Sequence, residues 1–502
     1  MKRVSVYLVV SCCLLVAVIL NFVGFEDDRT VIGSLTGKPH APDKVTNEIL
    51  LRDQKIATLQ LNIARMKAEN ENLDLINQLR NTVNRLETDN FKLHQHSLVM
   101  EGVITQPLIG GNYTVIAETP YDKGPWLASP TLIKTHNGTY IACFDTTREP
   151  VGTHVAVSHD SGKTWKETAV IPIMRWPNLV EVNNQVYVVG VDSIEQAGLK
   201  VSKMITYSRW TDPIRIVTDI SSFHTGNVGI VIANEELHIA IQTGRRSNWT
   251  IVHASVHADL MDKTSWQHSN TIPEPVSLYY PQMKALMGIE EYAHAQEGVL
   301  VPWNGSLVAI ARVSDSQVCA MAALFYYDLE VKQLSFMRFA YIPGLGIAKP
   351  AVVYDLASNL YWMLSNYNRD MSRDISKTHI GYIEKSHERC LIDRSILGLF
   401  YATQPMGQWH LAGFVAYSPD WAHHATYPSM LIEGDDVIAA VRSHLDTPLT
   451  EETVNHGQVI HGFNMNQEDV TANNHNANKI SFHRIKNFRD LVHPMMYYDT
   501  PL

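Results

Sequence analysis

Side chains able to ligate a metal or act as nucleophiles are present in this chain, but most have no spacing that serves such a task. Its 23 histidines are scattered, and His423-His424 is the only adjacent pair. No Cys/His spacing has the form of a zinc site. Of the five cysteines, Cys12 and Cys13 lie in an apolar run. Cys143, Cys319 and Cys390 remain, which allows one disulfide and implies no disulfide framework. Asp435-Asp436 reads as a turn rather than a metal or nucleotide-sugar site. No metal and no organic cofactor is expected. One octet does have purposeful spacing: Ser158-His159-Asp160-Ser161-Gly162-Lys163-Thr164-Trp165, of the form Ser-x-Asp-x-Gly-x-Thr-Trp. A short polar side chain such as Asp160 bonds the backbone amides just ahead of it and holds a turn. Gly162 takes positive φ without steric cost. Thr164 and Trp165 open a strand, with the indole as an apolar plug between sheets. The octet therefore predicts a tight β-hairpin.

In all five fixed positions this octet resembles the Asp-box of sialidases and other bacterial-neuraminidase-repeat (BNR) proteins, where it sits on hairpins of β-propeller blades. The resemblance implies a six-bladed propeller and a particular chemistry. A sialidase substrate carries a carboxylate on its anomeric carbon. Arginines suit that group in charge and fork geometry. A carboxylate nucleophile would be repelled, so a tyrosine activated by a glutamate attacks instead.

Three segments resemble the family's site, and they come in the family's order. Gln296-Glu297-Gly298-Val299, Asn304-Gly305-Ser306-Leu307 and Ile310-Ala311-Arg312 look like its strand–turn–strand unit. The resemblance makes Glu297 the base and Arg312 a carboxylate-binding arginine. Leu364-Ser365-Asn366 with Ser372-Arg373 resembles the segment of the third arginine, with Arg369 in reserve. Thr426-Tyr427-Pro428-Ser429-Met430 resembles the nucleophile segment, which makes Tyr427 the nucleophile. Each has a plainer reading: an ion pair for Glu297 and Arg312, a solvated loop for Arg373, a core tyrosine for Tyr427.

The amino-terminal part departs from the pattern. Ala128, in Ala128-Ser129-Pro130, stands where the family has its first arginine. A later family arginine is matched by Arg148, counted here among the catalytic candidates. The acid/base aspartate expected after it is replaced by Gly152, Thr153 and His154, leaving Asp145 or His154 as the proton donor. The segment around His475-Asn476 and Ser481-Phe482-His483-Arg484 resembles the closing strand of such propellers.

The elements that must position these residues follow from composition. Lys2 and Arg3 precede an apolar run from Val4 to Val23, and Glu26, Asp27 and Asp28 follow it. The run spans a ~30 Å hydrocarbon core as a helix. The charge bias makes 1–3 a cytosolic tail and 4–23 a signal anchor, with a cleaved signal peptide as the rival. This is a single-pass type II topology with a lumenal or extracellular head, in the Golgi, another endomembrane or the cell surface. Four sequons, at Asn112, Asn137, Asn248 and Asn304, agree with it. Residues 24–45 read as a linker. Residues 46–97 carry a heptad seam, with Ile49, Ile56 and Ile63 in one phase and Leu59, Met66 and Leu73 in the other. The register shifts after Leu73, and the stalk is expected to join two or three chains. Residues 103–495 read as short β runs, among them Thr139 to Phe144, Gln185 to Val191, Leu237 to Ile241, Leu307 to Ala311 and Val437 to Val441. About 60 residues per four-stranded blade gives roughly six blades. Weaker echoes of the octet lie at Tyr207–Asp212 and Asp259–Trp266. The formal charge of −10, without a basic face, excludes a nucleic-acid partner.

The expected protein is an all-β, membrane-tethered glycosidase of sialidase type that removes a terminal acidic sugar from glycans. The alternative is a glycan-binding propeller without catalysis. A type II glycosyltransferase has only the anchor–stem–head layout in its favour.

Overall fold

The computed structural model describes residues 108–119, 126–146, 152–192, 198–217, 229–243, 248–275, 294–314, 321–342, 345, 348–367, 394, 396–417, 424–444 and 477–492, and also the helical residues Lys55, Leu59 and Thr82. The expected anchor and linker, and the rest of the stalk, lie outside the described residues. Among the described residues no helix is long and apolar enough to cross a membrane.

From residue 108 onward the described residues form a ring of six antiparallel sheets. Strand β1 (Tyr113–Glu118) belongs to the last of them. Blade 1 is β2 (Leu127–Lys134), β3 (Tyr140–Thr146), β4 (Gly152–Ser158) and β5 (Lys166–Pro172). Blade 2 is β6 (Met174–Val182), β7 (Gln185–Asp192) and β8 (Leu199–Thr206), with the short β9 (Arg209–Trp210) and β10 (Ile214–Arg215) on β8. Blade 3 is β11 (Val231–Ala233), β12 (Glu236–Thr243) and β13 (Asn248–Ser255), edged by β14 (Trp266–His268) and β15 (Ile272–Pro273). Blade 4 is β16 (His294–Trp303), β17 (Ser306–Ser314), β18 (Met321–Asp328) and β19 (Gln333–Tyr341). Blade 5 is β20 (Ala351–Asp355), β21 (Leu360–Asn366), β22 (Ile396–Ala402) and β23 (His410–Tyr417). Blade 6 is β24 (His424–Glu433), β25 (Asp436–His444) and β26 (Lys479–Ile485), completed on its outer edge by β1. The two ends of the domain thus share one sheet.

The blades are held by apolar seams. A strand sends alternate side chains to opposite faces. In β3, Tyr140, Ala142 and Phe144 pack toward blade 6, while Ile141 and Cys143 pack toward blade 2. In β21, Trp362 and Leu364 face blade 6, and Tyr361 and Met363 face blade 4. Similar clusters join blades 2 to 3 and 3 to 4, so the ring is closed. A strand buried on both faces has to be apolar throughout. Each of the five β runs named from the sequence lies in a second strand: β3, β7, β12, β17 or β25. Cys143 is a buried free thiol in the seam between blades 1 and 2.

The octet forms the turn between β4 and β5. Ser158 Oγ accepts from Gly162 N at 2.9 Å, and Asp160 accepts from Thr164 N at 2.9 Å and from Thr164 Oγ1 at 2.6 Å. Trp165 Nε1 reaches Gly162 O at 3.2 Å. Gly162 has φ +83°, and a Cβ there would lie 2.3 Å from the Phe482 ring of β26. The two echoes fall on the corresponding hairpins of blades 2 and 3. In the second, Trp266 Nε1 bonds Leu260 O at 3.0 Å.

Candidate active site

The first strands of the blades line the axis: β2 packs on β6 and β24, and β20 on β16 and β24. Four of them are broken by a bulge at the same level. The register slips between Ala128 and Thr131, Arg175 and Asn178, Gln296 and Val299, and Thr426 and Ser429. Inside each bulge one residue takes left-handed φ: Ser129 (46°), Trp176 (51°), Glu297 (55°) and Tyr427 (51°). Such strain costs about 1–3 kcal/mol per residue and persists where surroundings enforce it. The enforcement is visible. Two residues after each strained position, a side chain in three of the blades bonds the backbone of the next. Thr131 Oγ1 accepts from Leu179 N, Asn178 Oδ1 from Gly229 N, and Ser429 Oγ from Leu132 N, at 3.2, 2.8 and 3.1 Å. Ahead of Glu297, Ala295 N donates to Glu274 Oε1 at 2.8 Å. After it comes Gly298, where a Cβ would meet the Trp249 ring at 3.0 Å.

The second strands contribute at the same level. The pairing sets Asp145 opposite Ala128, Arg312 opposite Gln296 and Arg442 opposite Thr426. In blade 5 the same count gives Lys349, two residues ahead of the first strand, and Asn366 on the second.

These positions converge. The Tyr427 hydroxyl donates to Glu297 Oε1 at 3.2 Å. Arg312 Nε donates to Glu297 Oε2 at 2.7 Å, and its Nη2 reaches the Tyr427 oxygen at 3.4 Å. The Arg394 and Arg442 guanidinium carbons lie 5.3 and 5.4 Å from the Tyr427 ring centroid. Arg394 is fixed through its backbone. The Asn366 amide, wholly buried, donates to Arg394 O at 3.2 Å, Ile396 O at 3.0 Å and Ala425 O at 2.8 Å. Its Oδ1 accepts from Thr426 Oγ1 at 2.9 Å, so one side chain seats both Arg394 and the residue before Tyr427.

The electrostatics are lopsided. Arg312, Arg394 and Arg442 are all buried, and so are Glu297 and Asp145. Burial pulls the Arg312 pKa down, but the Glu297 carboxylate and Tyr427 outweigh it and hold it above the usual range. Burial pushes Arg394 down, and pushes Arg442 down to about 10. Both stay charged. Asp145 is raised by burial, against the Ser129 hydroxyl, the Trp176 backbone N–H and the field of Arg442. Its Oδ1 has no hydrogen-bond partner among the described residues. Among the described residues, three guanidiniums thus gather around the Tyr427 hydroxyl and the Glu297 carboxylate.

Of the site residues expected from the sequence, the structure brings together Tyr427, Glu297, Arg312 and Asp145. Arg148, Arg369, Arg373, His475 and Asn476 lie outside the described residues. His154 is elsewhere, stacked on Phe144 with Nδ1 at 2.9 Å from Glu167 of β5. Arg394, Arg442 and Lys349 were not anticipated. A repeated dipeptide was the available signal: Ser129-Pro130, Trp176-Pro177, Lys349-Pro350 and Tyr427-Pro428, with Glu297-Gly298 as its glycine form. It marks one position in every blade but the third, and pairing then yields Arg442. The sequons Asn112, Asn137 and Asn304 are exposed at the end of the blades opposite this cluster, whereas Asn248 opens β13 at the near end.

No family model and no curated protein matches the chain. Among solved structures it is similar to a Hadza microbial sialidase, with 12% identity over 74% of this chain and 68% of that one and a TM-score of 0.48. It is also similar to an α-L-arabinanase of Penicillium chrysogenum complexed with arabinobiose, with 12% identity over 76% and 99% and a TM-score of 0.46. Trypanosoma rangeli sialidase is a third, at 12% identity over 76% of this chain and 59% of that one, with a TM-score of 0.45. The ring of six sheets rests on the strand pairing of the chain itself.

Proposed function

We propose that the propeller is an exo-glycosidase of sialidase type, removing a terminal acidic sugar through a tyrosine nucleophile. The observation that supports it most is the Tyr427 hydroxyl bonded to Glu297 inside a shell of three buried arginines. Tyr427 Oη attacks the anomeric carbon while its proton passes to Glu297. Asp145, whose pKa burial raises, donates to the departing glycosidic oxygen. Water, deprotonated by the Asp145 carboxylate, then attacks the same carbon. The phenolate leaves and recovers its proton from Glu297, so configuration is retained. Arg312 and Arg394 hold the substrate carboxylate. Hydrolysis of a fluorogenic α-sialoside between pH 4 and 7 tests this, beside Tyr427→Phe. Release that vanishes in the variant is expected.

Ala128 favours a second reading, a glycan-binding head without catalysis. No release from either protein, with binding on a glycan array, would establish it. In either case residues 4–23 act as a signal anchor, 46–97 as a coiled coil joining copies, and the exposed Asn112, Asn137 and Asn304 as glycan acceptors.

A further inference from the structure

Lys349 has no part in the mechanism above, yet it is 3% exposed and lies two residues ahead of β20, where the register of blade 5 extends it opposite Asn366, on the blade between those of Glu297 and Tyr427. Among the described residues its amine makes no hydrogen bond and no ion pair. The charge acting on it is that of Glu297, which is already bonded to Arg312 of β17 and Tyr427 of β24. Arg394 at the head of β22 and Arg442 of β25 add positive charge to the same cluster, and Asp145 of β3 lies beyond Arg442. A fourth cation at Lys349 would have no carboxylate of its own among the described residues. Burial pushes its pKa down to about 7, against the pull of Glu297.

We propose that Lys349 is a proton-dependent fourth cation of the anion subsite. Above pH 7 its amine is mostly neutral in the empty pocket, and it takes a proton from solvent when the carboxylate of an acidic sugar is seated. No bond to the ligand forms: the amine plus one proton becomes the ammonium. The inference rests on the acidic-sugar reading of the site. It makes binding pH-dependent where neither sialic acid nor the arginines titrate. Above pH 7, each pH unit weakens binding by up to about tenfold, the linkage of one proton.

The test is calorimetry on the full-length chain in detergent from pH 6.5 to 8.5, with a 2,3-unsaturated sialic acid as probe. Two buffers of different ionisation heat count the protons. Uptake approaching one proton per site is expected at pH 8.5. Lys349→Met is expected to bind several-fold more weakly at pH 7 with no uptake. Lys349→Arg, always charged, is expected to bind without uptake and without the pH slope, a rescue that packing alone would not produce. Binding by the wild type without uptake, or equal uptake by Lys349→Met, overturns this inference alone. A probe that does not bind at all overturns the acidic-sugar reading and this inference with it.

Discussion

At the Tyr427 hydroxyl two demands meet. Its proton needs an acceptor, and the acceptor must not be neutralised by the arginine beside it. Glu297 meets both by giving Oε2 to Arg312 and Oε1 to the tyrosine. Glu297→Gln keeps the shape and the Arg312 contact but removes the base. Its kcat should fall by about 10²-fold or more while binding of an unreactive carboxylate probe changes little. Loss of the charge also takes a bonded carboxylate away from buried Arg312, so a lowered Tm should accompany the kinetic defect. Asp145→Asn should behave differently. Hydrolysis of a natural glycan, whose leaving oxygen needs a proton, should fall by about 10²-fold or more. An aryl sialoside with a good leaving group should lose much less. Equal losses on both substrates would take the acid role from Asp145. Tyr427, Glu297 and Arg312 were legible because each lies in a run of residues with its own local form. Arg442 was not, because Val441-Arg442-Ser443 has no local pattern. Only the pairing of β25 with β24 carries it to the tyrosine.

The elements owe their legibility to burial. A second strand such as β3 or β25 is sandwiched between two seams and reads as an unbroken apolar run. An outer strand such as β5 or β19 faces water for most of its length, and its letters are those of a loop. The first strands were obscured differently. Their bulges break the period of two at the point where the functional side chain turns inward, so a strict alternation search stops short of the site. The turn between β4 and β5 was readable because its hydrogen bonds are local. One consequence reaches across the ring. Gly162→Ala would place a methyl at positive φ and press it into Phe482 of β26. The two effects together should cost about 2–5 kcal/mol, seen as a drop in Tm. Because Phe482 belongs to blade 6, the defect should appear in thermal unfolding of the whole ring rather than of blade 1 alone. Asp160→Ala, which removes only the turn's bonds to Thr164, should cost less.

For the whole molecule, the critical place is where the ring closes. Blade 6 is the one sheet made from both ends of the domain, and β1 joins it through β26. His483 of β26, wholly buried, is the pin at that joint. Its Nδ1–H donates to Gly110 O at 2.8 Å, just ahead of β1, and its Nε2 accepts from Ser481 Oγ at 2.8 Å. Both bonds suit the neutral ring. Burial holds its pKa down, to about 4. The folded chain thus binds this proton more weakly than the unfolded chain, whose histidine titrates near its usual 6.5. The stability linked to it is intact above pH 6.5 and is lost as pH falls toward 4. His238 in blade 3, also lowered to about 4 by burial, acts in the same sense. Buried Asp145, with its raised pKa, acts oppositely, because protonation suits its folded environment. Lys349 adds a separate limb, a stability that rises with pH from about 7 upward. Wild-type Tm should therefore fall between pH 6.5 and 4. His483→Gln, which can still donate to Gly110 and accept from Ser481, should have a shallower fall over that range. An acid limb unchanged in His483→Gln would place the titrating group elsewhere. A limb made shallower, with hydrogen exchange at β1 no longer accelerating in acid, would identify the seam of β1 and β26 as the place where the ring opens first.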